Sequence, residues 1–120
     1  MKSLIVNADD FGFTRDVNRG IVDAHLDGIL TATTLMANGA AFDDAVALAH
    51  AHPTLDIGCH LVLIGGNSVV DPKRALPGSI PDLIAALAAR SLSVEAELEA
   101  QVRKILAAGL KPSHLDTHKH

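Results

Sequence analysis

Short apolar runs alternating with helical patterns constrain this chain more than any other feature. Ser3 to Ala8 is compact and β-rich and reads as a buried strand, followed at once by Asp9-Asp10-Phe11-Gly12. Thr14 predicts a helix cap, and Val17, Ile21, Val22, Ala24 and His25 form a stripe that runs on to about Asp27, with Gly28 as the stop. Ile29 to Met36 is a second strand, closed by the loop Asn38-Gly39. Asp43 to His50 predicts a short helix ended by Pro53, and Leu55 to Ile64 a third strand with His60 inside it. The glycine- and proline-rich segment 65–81 reads as a loop. Ser93 then caps the clearest helix, with Val94, Leu98, Val102 and Ile105 as its apolar stripe and Glu95 and Glu97 favouring its N-terminal dipole. Glu99 and Arg103 stand four residues apart on it, and Gly109 ends it. After Lys111-Pro112 comes a last strand.

Strands that alternate with helices predict an α/β protein with a parallel sheet, because each parallel crossover needs a helix. Leu4, Val6, Ile57, Leu61 and Leu63 are expected in strands packed on both faces. No repeat or linker divides residues 1–120, so the chain reads as one domain portion that buries about two-thirds of its unfolded surface. A net charge of −4, with no Lys/Arg run, argues against a nucleic-acid partner. No apolar stretch approaches the roughly 18 residues of a membrane span. The lone Cys59 has no internal disulfide partner, which suits a cytoplasmic setting, and it reads as a small buried hydrophobe rather than a nucleophile.

The chemistry concentrates at strand ends. In the segment Pro112-Ser113-His114-Leu115-Asp116-Thr117-His118-Lys119-His120, strand alternation sends His114, Asp116, His118 and His120 to one face. Imidazole and carboxylate are the usual ligands of a divalent transition metal. A polar edge strand or a histidine-rich tail would show the same residues. Asp9-Asp10 alone suits a solvated turn, and His60 alone suits a hydrogen-bonded core histidine. Together they differ: Asp9 and Asp10 follow the first strand, Asn38 the second, His60 lies in the far half of the third and His118 ends the fourth. Ligands collect at the carboxyl ends of parallel strands, so these residues predict one polar rim. His25, His50 and His52 lie on or after helices and are expected to be ordinary packed or solvated residues.

Asn7-Ala8-Asp9-Asp10-Phe11-Gly12, Gly28-Ile29-Leu30-Thr31-Ala32-Thr33-Thr34, Ile57-Gly58-Cys59-His60-Leu61 and the segment from Pro112 to His120 resemble, in that order, the YdjC-like carbohydrate deacetylases, including the chitooligosaccharide deacetylases. The resemblance covers the N-terminal half of that family's longer chains. It implies a (β/α)-barrel-like fold, often dimeric, and hydrolysis of the N-acetyl group of an amino sugar or oligosaccharide with one divalent metal ion, zinc or magnesium. It also implies Asp9 as general base and Asp10, His60 and His118 as metal ligands, with His114, Asp116 and His120 in support; Asn38 joins the supporting residues from its place on the rim alone. Two alternatives stay open: another metal-dependent amide or ester hydrolase, and a non-catalytic α/β module acting by association. Four strands leave barrel surface uncovered, which predicts a homo-oligomer.

Overall fold

The computed structural model describes residues 1–119, so His120 lies outside the described residues. In chain order the elements are β1 (Asn7–Phe11), α1 (Arg15–Leu26), β2 (Ala32–Leu35), α2 (Phe42–Ala51), β3 (Asp56–Leu61), α3 (Ile80–Ala88), α4 (Val94–Ala107) and β4 (Leu115–Thr117). The strands form one parallel sheet in the order β1-β2-β3-β4. Local chemistry sets the helix starts: the hydroxyls of Thr14, Ser79 and Ser93 accept hydrogen bonds from the backbone N–H of Val17, Asp82 and Ala96. Segment 65–81 is irregular, as expected, up to Ile80, where Ser79 and Pro81 begin α3. Among the described residues, no helix is long and apolar enough to cross a membrane.

One face of the sheet is the hydrophobic core. Leu35, Ile57 and Cys59, with Phe11, pack against Ile21 and Val22 of α1, Phe42 and Ala45 of α2 and Ile105 of α4. Each large apolar side chain buried there contributes about 1.5–3 kcal/mol. The opposite face corrects the expectation of strands packed on both sides: Asn7, Asp9, Thr34, His60, His114 and Asp116 hydrogen-bond to one another across it. Of the residues expected in such strands, Ile57 and Leu61 face the helices, whereas Leu4 is 78% exposed and precedes β1.

The first strand also starts later than Ser3. Asp is poorly suited to a sheet, so the pattern suggests a stop at Ala8. Instead β1 runs through both aspartates on a bulge: Ala8 pairs with Thr33, the register shifts, and Phe11 pairs with Leu35. Asp10 takes φ 67° at that bulge. Complete burial of Phe11 is what the shifted register achieves.

Two buried polar networks hold the loops behind the rim. Asn18 of α1 accepts from Gly12 N–H at 2.6 Å and donates to Ala41 O at 3.1 Å and Asp44 at 2.9 Å, tying the turn after β1 to the start of α2. On α4, Glu97 and Gln101 are buried beside Ile105, while Val94, Leu98 and Val102 are only half-buried. Glu97 is therefore a core anchor rather than a solvated dipole partner. It accepts from Ser68 Oγ at 2.5 Å, Val69 N–H at 2.8 Å and Gln101 Nε2 at 3.0 Å. Gln101 also brackets Val62, accepting from its N–H and donating to its carbonyl. Burial pushes the Glu97 carboxyl up, but hydrogen bonds from Gln101, Ser68, Val69 and Val70 outweigh it and leave the group below the ordinary carboxylate range. Glu99 and Arg103 form the expected exposed pair, at 2.6 Å.

Candidate metal centre

Asp10, His60 and His118 meet at the carboxyl ends of β1, β3 and β4. Asp10 Oδ1 lies 3.3 Å from His60 Nε2 and 3.1 Å from His118 Nδ1, and the two imidazole nitrogens are 3.3 Å apart. The three donor atoms thus form a nearly equilateral triangle. Ligand–metal bonds of about 2.0–2.1 Å in a tetrahedron give edges of about 3.3–3.4 Å, so the triangle fits one zinc-sized ion with a fourth position open.

Protonation supports the same reading. His60 Nδ1 lies 2.5 Å from Asp116 Oδ1, in register beside it on β4, so that nitrogen carries the proton and donates. In the neutral ring His60 Nε2 is then the nitrogen left to coordinate, and it faces the Asp10 carboxylate at 3.3 Å. Asp10 Oδ1 is buried and makes no hydrogen bond. A buried carboxylate oxygen without a hydrogen bond is costly unless a cation lies beside it. His60 itself is 1% exposed, held from behind by Asp116 and near Thr34 Oγ1 at 3.3 Å. Thr34 donates to the second Asp116 oxygen at 3.0 Å.

Asp9 and Asp10 reach the same rim because the bulge turns their side chains together. Successive residues of a straight strand point to opposite faces. The left-handed φ of Asp10 removes that alternation, a conformation that Asp tolerates better than most residues. Gly12, at φ 95°, completes the turn, where a Cβ would stand 3.2 Å from Met36 O. Asp9 remains exposed, and its Oδ1 accepts from Asn7 Nδ2 at 3.1 Å. A second grouping, Asp9 with His60 and Asp116, shares His60. There the His60–Asp116 hydrogen bond already accounts for the contact.

The supporting residues have separate places. Asp116 fixes His60. His114 lies on the polar face but turns to Asn7, with His114 Nε2 3.1 Å from Asn7 Oδ1, away from the donor triangle. Asn38 donates to Gly65 O at 3.1 Å and Asn67 O at 3.2 Å, and its Oδ1 is buried without a partner. It lines a cavity of about 480 Å³ with Asp10, Phe13, Gly66 and His118. That volume suits a small organic ligand. Asn7 opens the motif Asn7-Ala8-Asp9-Asp10-Phe11-Gly12, but nothing local to it in the sequence shows its contacts with Asp9 and His114.

Two of the histidines outside the site have structural partners. His25 bonds Leu30 O at 2.7 Å and Thr54 Oγ1 at 2.8 Å, and His50 donates to Ala108 O at 2.8 Å. Cys59 is buried in the core as expected; burial, then the nearby Asp116 charge, pushes its thiol up to about 11, so it is no nucleophile at neutral pH.

A parallel sheet with helices on one face and carboxylates and imidazoles gathered at its carboxyl rim defines an α/β protein of the barrel class, seen over part of a barrel. The chain belongs to the family of YdjC-like proteins, whose family model matches residues 3–120. It is 45% identical over 124 residues to a carbohydrate deacetylase of Brevibacillus brevis, covering 98% of this chain and 49% of that protein. A carbohydrate deacetylase of Geobacillus stearothermophilus is 43% identical, covering 97% of this chain and 49% of its own length. The chain thus spans about half the length of the curated relatives it matches. Among solved structures, a protein of Enterococcus faecalis provisionally assigned to cellobiose-phosphate cleavage superposes with a TM-score of 0.76 at 30% identity, covering 95% of this chain and 47% of that one.

Proposed function

We propose that this chain is the metal-binding portion of a hydrolase that removes the N-acetyl group from an acetylated amino sugar, with Asp10, His60 and His118 holding one divalent ion. The observation that carries this reading is the donor triangle, with edges of 3.1–3.3 Å around a buried, unbonded carboxylate oxygen. Relatives named carbohydrate deacetylase support the substrate class. Two imidazoles and one carboxylate favour zinc over magnesium.

When bound, such an ion supplies a more acidic water and polarises the acetyl carbonyl. The protein's own part is division of labour between adjacent aspartates. Asp10 faces the imidazoles. Asp9, exposed and held at one oxygen by Asn7, takes the proton from the water that attacks the acetyl carbon. The cavity lined by Asp10 and His118 receives the sugar, with Phe13 as an apolar wall. Association of copies fits the same reading, because β1 and β4 end the sheet and Leu4, Ile5 and Leu115 are exposed.

The test is acetate release from N-acetylglucosamine oligomers by chain stripped with a chelator and reloaded with zinc or magnesium. Release that requires the metal and disappears in Asp10→Ala is the expected result. Release indifferent to chelation, or none with either metal, contradicts the proposal.

A further inference from the structure

We infer that Asn7 and His114 are positioning residues that aim the Asp9 carboxylate at the rim, an inference that rests on the reading of Asp9 as base. β1 and β4 are the two ends of the sheet, separated by β2 and β3. Yet His114 Nε2 meets Asn7 Oδ1 at 3.1 Å across the polar face, which the curl of the sheet allows. Ser113 Oγ lies 2.8 Å from His114 Nδ1.

The donor directions follow from one another. The Asp9 carboxylate only accepts, so Asn7 presents its Nδ2 to it, at 3.1 Å. Asn7 Oδ1 therefore faces His114, and His114 Nε2 must carry the proton. His114 Nδ1 is left to accept from the Ser113 hydroxyl. The chain Ser113 to His114 to Asn7 to Asp9 thus has one polarity, with each hydrogen directed toward the carboxylate. Gly58 of β3 makes the crossing feasible, since a Cβ there would stand 2.6 Å from the His114 ring.

A staple that merely joins the ends of the sheet would need His114 and any acceptor at position 7. Asn7→Asp separates the two roles: it keeps an acceptor for His114 but has no donor for Asp9. In the zinc-loaded chain we expect Asn7→Asp to lower kcat for acetate release from diacetylchitobiose by about 10- to 100-fold, the usual effect of losing an orienting partner. KM should stay near wild type, and Asn7→Leu, which lacks the donor without adding a charge beside Asp9, should show the same fall in kcat. An unchanged kcat would mean a staple only and would overturn the inference. A nitrogen-15 NMR arm does not depend on activity. It should show His114 protonated at Nε2, and Asp9→Ala should move the Asn7 side-chain amide proton upfield. If the wild type releases no acetate, the functional reading fails while this arm still decides the relay. A His114 ring protonated only at Nδ1, or an Asn7 amide indifferent to Asp9→Ala, overturns it.

Discussion

His60 Nδ1 and Asp116 Oδ1 lie 2.5 Å apart on paired positions of β3 and β4, and that contact decides which nitrogen of His60 faces the rim. Asp116→Asn removes the charge that holds the proton at Nδ1. Partners of this kind are worth about 10- to 100-fold in metal affinity. We expect zinc affinity to fall by that amount with no change in secondary structure, measured by calorimetric titration. Undiminished affinity would show that Asp116 does not orient His60.

The two adjacent aspartates should separate cleanly. Asp9→Asn keeps the side-chain shape but loses the base, so metal binding should persist while deacetylation falls by roughly 10²- to 10⁴-fold. Asp10→Ala should weaken metal binding itself. Equal metal loss in both variants would mean that the roles are divided wrongly.

Glu97 links pH to stability. Its carboxyl is lower in the folded chain than the ordinary value of 4.5, so its contribution is fully present above that value and is lost as pH falls through the lowered folded value. Glu97→Leu leaves Ser68, Val69 N–H and Gln101 without their acceptor. We expect about 2–4 kcal/mol of destabilisation at neutral pH, shrinking as pH falls below the ordinary value of 4.5 and through the lowered folded value, in denaturant titrations at several pH values. A pH-independent difference between variant and wild type would contradict the ionised anchor.

Much of the fold was legible because it rests on local rules. Thr14 and Ser93 cap the helices they were expected to cap, and strand and helix alternation predicts the parallel order. Asp10, His60 and His118, named from the family resemblance, do converge. What was illegible depends on distant partners. Nothing local to Asn18 distinguishes it from a solvated helix residue, and its burial follows from Gly12, Ala41 and Asp44. Glu97 and Gln101 likewise break the apolar stripe because their partners are loop residues beyond β3. The strand through Asp9 and Asp10 was missed because Asp ordinarily ends a strand, and only the bulge with φ 67° at Asp10 reconciles them.

Self-association should be measurable in the chain by itself. Ile80, Ile84 and Leu87 form an exposed stripe on α3, which buries none of its residues, and Leu4, Ile5 and Leu115 add apolar surface near the ends of the sheet. Sedimentation velocity at several concentrations is expected to show oligomers that grow with concentration. A compact monomer at micromolar concentration would point to a self-sufficient domain.

The central claim is that Asp10, His60 and His118 hold one metal ion, and anomalous diffraction from crystals of the zinc-loaded chain tests it most directly. The account predicts one zinc peak about 2.0–2.2 Å from Asp10 Oδ1, His60 Nε2 and His118 Nδ1. A peak on other residues, or none at this rim in zinc-saturated protein, would contradict it.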